Sequence, residues 1–265
     1  MDYKEWCYYQ KGIISTLPPY YNAVVDKKLF EQFKGALYIR WDSQFDQCKN
    51  TNYYHVVKDD QCTIDSLPSK TRNMVRRCLK NCEIKLVDYQ FIIDHGGYEV
   101  YRSEYRRYSK KGYSALPKTL DNWADGMGEA FRRGQEFWAV IYESKVVAYS
   151  ICHRKDAHVD FVTWKVDYEN YNMLYPSYGL VFRMCEYYLA QDDIRYVNDG
   201  GRSLSQHSSV QEFLIDRFNF RKAYSKLNAK FRWWLYVLLI ILSPFENLIK
   251  NNRLRSLVRL YKWSR

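Results

Sequence analysis

Five consecutive residues, Asn198-Asp199-Gly200-Gly201-Arg202, place an amide, a carboxylate and a guanidinium beside two glycines, directly after the β-forming run Ile194–Val197. A carboxylate in that position can bind an acceptor group or take its proton, and a guanidinium can hold an anion. Polar groups delivered at the carboxyl end of a strand are where α/β architectures bind ligands. The same residues also satisfy an ordinary turn, with Asp199 capping backbone N–H groups. His207 follows in the same loop. An imidazole can titrate near neutral pH, but a lone loop histidine is more often a plain surface residue.

The elements that must position these groups lie just upstream. Tyr171–Arg202 reads as a loop, a helix of about four turns and a short strand. Leu180, Val181, Met184, Cys185 and Tyr188 recur at i, i+1, i+4, i+5 and i+8, so one helix face is apolar and belongs on a sheet. Ser177, directly after Pro176, is the expected N-cap, with backbone N–H groups open at the helix start. Further upstream, Ala36–Trp41 and Tyr53–Lys58 are β-rich, and Asp26–Phe33 and Lys70–Cys82 read as helices. A longer helical region spans Asp88–Lys110 and ends at Lys111-Gly112, and another helix spans Asn122–Arg133. Then the period changes to that of strands: Phe137–Tyr142, Val146–Ser150 and Val159–Val166, with Glu143-Ser144-Lys145 as a compact hairpin turn. Ser209-x-x-Glu212 is a capping box opening the helix Val210–Arg217. Asn219 stands where a helix end needs a left-handed residue, and Arg221–Leu227 returns to the sheet. This order is α+β with a mixed sheet.

Composition limits the rest. At 265 residues and 18% aromatic content the chain can bury a substantial core and is not disordered. Met1–Gln10 has no apolar export segment, and the seven cysteines form no paired framework, which places the protein in a reducing, cytoplasmic compartment. Of the net charge of +11, residues 221–265 carry nearly all, with eleven Lys/Arg against Glu246 alone. The remaining 220 residues are close to neutral, with 30 basic and 29 acidic groups, which excludes a uniformly basic nucleic-acid binder. Cys78 and Cys82 share a helix face, but no second pair completes a metal site, and no metal is expected. There is no Walker loop, H-E-x-x-H or G-x-S-x-G elbow.

Leu67–Lys80 (LPSKTRNMVRRCLK), Tyr175–Leu180 (YPSYGL), Asn198–Ser203 (NDGGRS) and Phe218–Tyr224 (FNFRKAY), taken in this order of elements, resemble the GNAT acyltransferase fold. More specifically they resemble its Fem-type branch of peptidoglycan-bridge aminoacyltransferases. The resemblance covers about residues 60–230. It implies a GNAT-like mixed central sheet flanked by helices over residues 86–228, with residues 1–85 an N-terminal α/β segment amounting at most to a reduced first lobe. It implies an acyl donor, acetyl-CoA or another acyl-CoA, along Trp164, Lys165 and Val166. The donor's pyrophosphate would meet Ser177, Tyr178, Gly179 and Leu180. The loop there has a single glycine and no basic residue, and aminoacyl-tRNA is the alternative donor. The acceptor would be an amine or hydroxyl of a cell-envelope or lipid-linked sugar precursor.

Acyl transfer needs a base for the acceptor and donors for the developing oxyanion. Asp199 is the first candidate base, with His207, Asp167 and Glu169 as the others and Tyr224 as a possible acid. Arg202 and Asn198 are expected at the substrate. Arg72 and Arg76, in line with Lys80 on one helix face, are read either as a solvated basic face or as phosphate contacts. The C-terminal residues 229–265 form a basic amphipathic tail. Trp233–Leu242 is too short to span a bilayer, Ser243-Pro244 breaks it, and Phe245–Trp263 resumes as a helix with Leu254, Leu257, Val258 and Tyr261 on one face. Aromatic ends with Lys/Arg flanks suit an anionic lipid surface at the inner face of the membrane. A helical hairpin packed on the domain or on a partner chain is the other reading.

Overall fold

The computed structural model describes residues 5–26, 28–110, 116–204 and 209–265. In chain order the elements are β1 (Trp6–Tyr9), β2 (Gly12–Ser15), the one-turn α1 (Leu29–Gln32), β3 (Tyr38–Ser43), β4 (Tyr54–Lys58), α2 (Ser69–Asn81), β5 (Glu83–Val87), α3 (Tyr89–Asp94) and α4 (Gly97–Ser109). Then follow α5 (Leu120–Arg132), β6 (Glu136–Tyr142), β7 (Lys145–Lys155), β8 (His158–Val166), α6 (Tyr168–Tyr171), α7 (Pro176–Leu189) and β9 (Tyr196–Gly201). The chain finishes with α8 (Ser209–Phe218), β10 (Arg221–Tyr224), β11 (Lys226–Phe231), α9 (Trp233–Leu242) and α10 (Asn252–Trp263). The architecture is α+β with two mixed sheets, ordered β1-β2-β3-β11 and β10-β4-β9-β8-β7-β6-β5.

Two compact units divide the chain. One holds Met1–Val56, Gly201–Val210 and Lys222–Arg265, and the other Val57–Gly200 and Gln211–Arg221. The division differs from expected boundaries near 85 and 228. Residues 57–85 pack with the second unit, while β11 pairs antiparallel with β3 over six positions and so carries the tail back to the first.

In the second unit β5, β6, β7 and β8 run antiparallel, and β8 pairs parallel with β9. Side chains alternate across β6, so its two faces serve two layers. Phe137, Ala139 and Ile141 pack with Ile92, Val100, Trp123 and Met127 of α3, α4 and α5. Trp138 faces the other way, and its indole N–H donates to the Tyr188 hydroxyl of α7 at 3.0 Å. The predicted apolar face of α7 is fully covered: Leu180, Val181, Met184, Cys185 and Tyr188 are buried. The β6–β7 turn has Glu143 and Ser144 both at positive φ, the twist a two-residue hairpin requires. Asn219 is left-handed at φ 57°, as its place after α8 demands.

Several elements depart from the sequence reading. β5 was not foreseen; Glu83 and Lys85 alternate with inward Ile84 and Leu86, but the strand begins one residue after Cys82 caps α2, so no loop separates the two periods. The region Asp88–Lys110 breaks at Gly96, at φ 93°, into α3 and α4. Asp26–Phe33 keeps only the single turn α1. The tail resumes as a helix at Asn252 rather than Phe245, because Ser243–Leu248 forms a 3-10 turn across the proline. Lys111-Gly112 lies outside the described residues.

In the first unit Trp6, Ile13, Leu29, Ala36 and Ile39 form one small core. A second core joins Leu235 and Leu239 of α9 to Val258 and Tyr261 of α10 over Leu37 and Phe231.

Candidate functional site

The Asn198–Gly201 stretch is strand, not turn: β9 runs two residues past Asp199. Parallel pairing sets Asn198 opposite Asp160 of β8, and the Asn198 amide donates to that carboxylate at 2.9 Å. Its carbonyl oxygen accepts the Gly200 N–H at 2.8 Å, so Asn198 is buried and fully engaged. Burial works to raise the Asp160 carboxyl, but the hydrogen bond from His158 and the charge of Lys155, 3.0 Å away, hold it well below the usual carboxylate range.

Asp199 faces the opposite way from Asn198. There it meets Gln211 of α8, whose amide also donates to the Gly200 carbonyl at 3.3 Å. The residue keeps some exposure, yet its carboxylate lies inside the fold. Burial pushes it up to about 7, against the Gln211 hydrogen bond that pulls it down. A carboxylate that is half-ionised at neutral pH can accept a proton and return it within one reaction.

The start of α7 is built differently from expectation. Ser177 is not the cap: Pro176 is the first helical residue and Tyr175, left-handed at φ 54° and ψ 47°, precedes it. Ser177 is buried and shares a 2.7 Å hydrogen bond with the Tyr168 hydroxyl. The amides of Tyr178 and Gly179 both donate to the Tyr175 carbonyl. Gly179 is needed for close helix packing, since a Cβ there would fall 2.4 Å from the Cys78 sulfur on α2. Leu180 is buried beside it. Phe213 of α8 stacks edge-on against both Tyr178 of α7, at 5.0 Å, and Trp164 of β8, at 5.9 Å. Aromatic packing therefore occupies the interval between the strand and the helix start. Val166 is buried, and Lys165 pairs with Glu104 at 3.0 Å.

The other candidate bases have structural work. Asp167 is buried, accepts the Ser103 hydroxyl at 2.6 Å and caps α6 through Asn170. Glu169 is held below the usual carboxylate range by hydrogen bonds from Lys110 and Arg106. His207 lies outside the described residues. Arg202 belongs to the first unit; it donates to the Asn52 carbonyl at 2.8 Å and stacks over Trp263 at 4.6 Å. Tyr224, also there, packs edge-on against Tyr54 at 5.8 Å. On α2, Arg72 and Arg76 share the single carboxylate of Asp65 at 3.4 and 3.8 Å, and Arg76, Arg77 and Lys80 are exposed. A cavity of about 530 Å³ in the second unit is lined by Cys62, Leu79, Phe182 and Glu186 and by none of the predicted residues; Asp65 at its edge pairs with Arg72.

One polar cluster was missed. In the first unit Arg40 and Asp42 alternate on β3, and Tyr53 and His55 alternate across the start of β4. Arg40 donates to the Tyr53 hydroxyl at 2.8 Å, that hydroxyl to Asp42 at 3.3 Å, and the His55 ring meets Asp42 at 2.9 Å. Burial raises the Tyr53 phenol well above its ordinary value. The signal available was R-x-D followed by Y-x-H at strand spacing, four ionisable groups on inward positions of otherwise apolar strands.

No family model and no curated protein sequence matches the chain. Among solved structures, FemX superposes with a TM-score of 0.56 at 10% identity, over 84% of this chain and 77% of that one. The C-terminal DUF2156 domain of an Agrobacterium fabrum protein assigned as a lysylphosphatidylglycerol synthetase gives 0.53 at 10% identity, over 89% and 82%. The architecture is thus of GNAT type. More particularly, it is the Fem-like form of that fold.

Proposed function

We propose that the protein is an acyltransferase that passes an aminoacyl group from an ester on tRNA to an amine or hydroxyl of a cell-envelope precursor. The reaction would take place at the cytoplasmic face of the membrane. The observation that carries this reading is the Asp199 carboxyl, held at about 7 on β9 of a Fem-like fold. In the proposed step Asp199 takes the acceptor's proton as its nitrogen or oxygen attacks the ester carbon. The tetrahedral adduct collapses, the carbon–oxygen bond to the tRNA ribose breaks, and the proton passes from Asp199 to the leaving ribose oxygen. No net charge or electron change results.

Two observations support tRNA over the acyl-CoA first expected. The α7 amides that a pyrophosphate would use already donate to Tyr175, and Phe213 fills the adjoining interval. The exposed face of α2 offers Arg76, Arg77 and Lys80 for a phosphate backbone. The names of the two superposing proteins, FemX and a lysylphosphatidylglycerol synthetase domain, are consistent with an envelope acceptor.

Calorimetric titration with coenzyme A, acetyl-CoA, deacylated tRNA and aminoacyl-tRNA tests the reading. Binding of tRNA, with release of label from aminoacyl-tRNA that Asp199→Ala abolishes, is the expected result. Binding and turnover with acetyl-CoA alone would make it an acetyltransferase. Binding of no donor would make it a non-catalytic membrane-peripheral protein.

A further inference from the structure

α9 is apolar or aromatic at all ten of its positions and α10 at six of twelve, and the structure uses the two helices differently. Val258, Leu260 and Tyr261 of α10 are buried within the first unit, so the lipid-facing role expected for that face is unavailable. On α9, Leu235 and Leu239 point inward, while the opposite side is open. Trp233 is 80% exposed, Val237 50%, Ile240 43% and Ile241 60%, at i, i+4, i+7 and i+8 on a single face. Phe245, at 54%, and Leu248, at 76%, extend the row along the 3-10 turn that follows. Contiguous apolar exposure on this scale marks a docking surface rather than ordinary scatter.

The charges around it name the partner. Residues 221–265 contain one carboxylate, Glu246, and Arg259 and Lys262 take both of its oxygens at 2.8 and 2.7 Å. Asp59 pairs with Arg221 from outside the segment, and the segment still keeps a large excess of positive charge. Beside α9 lies a cavity of about 330 Å³ lined by Lys230, Phe231, Tyr236, Tyr261, Ser264 and Arg265. Tyr236, which lines the cavity, follows Trp233 by three residues and so flanks the apolar row on the helix surface. The Arg265 guanidinium lies 4.7 Å from the Tyr261 ring centre and also donates to the Tyr236 hydroxyl. A shallow apolar face, aromatic residues at its border and cations beside it fit an anionic phospholipid surface. A bilayer-spanning role does not fit α9, which at ten residues is about 15 Å long against a hydrocarbon core of about 30 Å.

We propose that the outer face of α9 and the Ser243–Leu248 turn seat in the interface of an anionic membrane, with Lys230 and Arg265 receiving a lipid headgroup phosphate in the adjoining cavity. This deepens, and rests on, the membrane-surface placement in the proposed function. It is tested on lipid alone, so a failed transferase assay leaves it standing.

The experiment is co-sedimentation of the full chain with vesicles of phosphatidylcholine, and of phosphatidylcholine mixed with phosphatidylglycerol. Two variants are compared: Val237→Ser/Ile240→Ser/Ile241→Ser, all at exposed positions, and Lys230→Gln/Arg265→Gln. Unchanged thermal melts confirm that both fold. Wild-type protein is expected to prefer the anionic vesicles by about tenfold or more, the apolar variant to lose binding to both kinds, and the cation variant to lose only the preference. Equal sedimentation of wild type and the apolar variant would overturn the docking face. Equal wild-type binding to both vesicles would overturn the headgroup site. Light scattering that shows a dimer abolished by the apolar variant, without vesicle binding, would assign the face to a second copy instead.

Discussion

The start of α7 and the Asn198-Asp199 pair of β9 lie in one unit and both present polar groups near the terminus of a regular element, yet their surroundings are opposite. At α7 the groups have local uses: the Tyr175 carbonyl takes the Tyr178 and Gly179 amides, the Tyr168 and Ser177 hydroxyls share a hydrogen bond, and Gly179 lets α2 approach. At β9 one group is left poised, because Asp199 is desolvated and, among the described residues, meets a neutral amide, Gln211, in compensation. A helix start with its Tyr178 and Gly179 amides engaged offers a diphosphate few donors. A carboxylate in that state can move a proton. Under the proposed function the difference sets proton transfer at β9 and points the donor question away from the helix terminus.

The largest expected effect tests the β9 side. Asp199→Ala should lower kcat/KM for transfer by about 10²–10⁴, the range of a general base, with donor affinity unchanged by calorimetry. An equal loss of donor affinity would move Asp199 from proton transfer to binding. The same residue carries a stability signature. Its folded-state pKa, about 7, lies above the unfolded value of 3.8, so the folded state binds a proton that the unfolded chain has released between those values. Stability should therefore fall as pH rises from about 4 to 7. Asp199→Asn should be more stable than wild type at pH 8, by up to about 4 kcal/mol before solvent screening, and the gap should close below pH 4 in urea melts.

The α7 side predicts smaller changes. Gly179→Ala should cost about 1–3 kcal/mol in thermal unfolding, because its methyl meets Cys78 and Ile84, with no specific loss of donor binding in the folded protein. A phosphate-cradle role would give the reverse pattern. Asp167→Ala should cost about 1–2 kcal/mol by removing a helix cap and a buried acceptor, with kcat retained. Smallest of all, Arg76→Gln should leave stability within about 0.5 kcal/mol and reduce the salt dependence of tRNA binding by about one ion.

What the sequence made legible was local. The α7 face follows from helical spacing, the Glu143–Ser144 turn from its length, and Asn219 from the need for a left-handed residue. The candidate site at the end of β9 was visible as a cluster of polar types, and the α+β order of elements was visible from alternating periods. The rest depended on contacts distant in sequence. Ser177 looks like a cap until Tyr175 turns left-handed and Tyr168 arrives to take the hydroxyl. Asp199 looks like a turn residue until Gln211 and α8 cover it. Asp167 and Glu169 look like solvated acids until α4 brings Ser103, Arg106 and Lys110 to them. The tail shows the same limit. Spacing marked α10 as the amphipathic helix, but β11 and Leu37 claim its apolar face, and only packing reveals that α9 is the one left open.

The most direct measurement is a ¹³C NMR titration of the Asp199 carboxyl carbon in the protein without substrate, using Asp199→Asn to assign the resonance. A midpoint near 7 is the predicted result and places a proton-accepting group at the end of β9. A midpoint near 4 would mean an ordinary solvated carboxylate, and would contradict the assignment of Asp199 as the base.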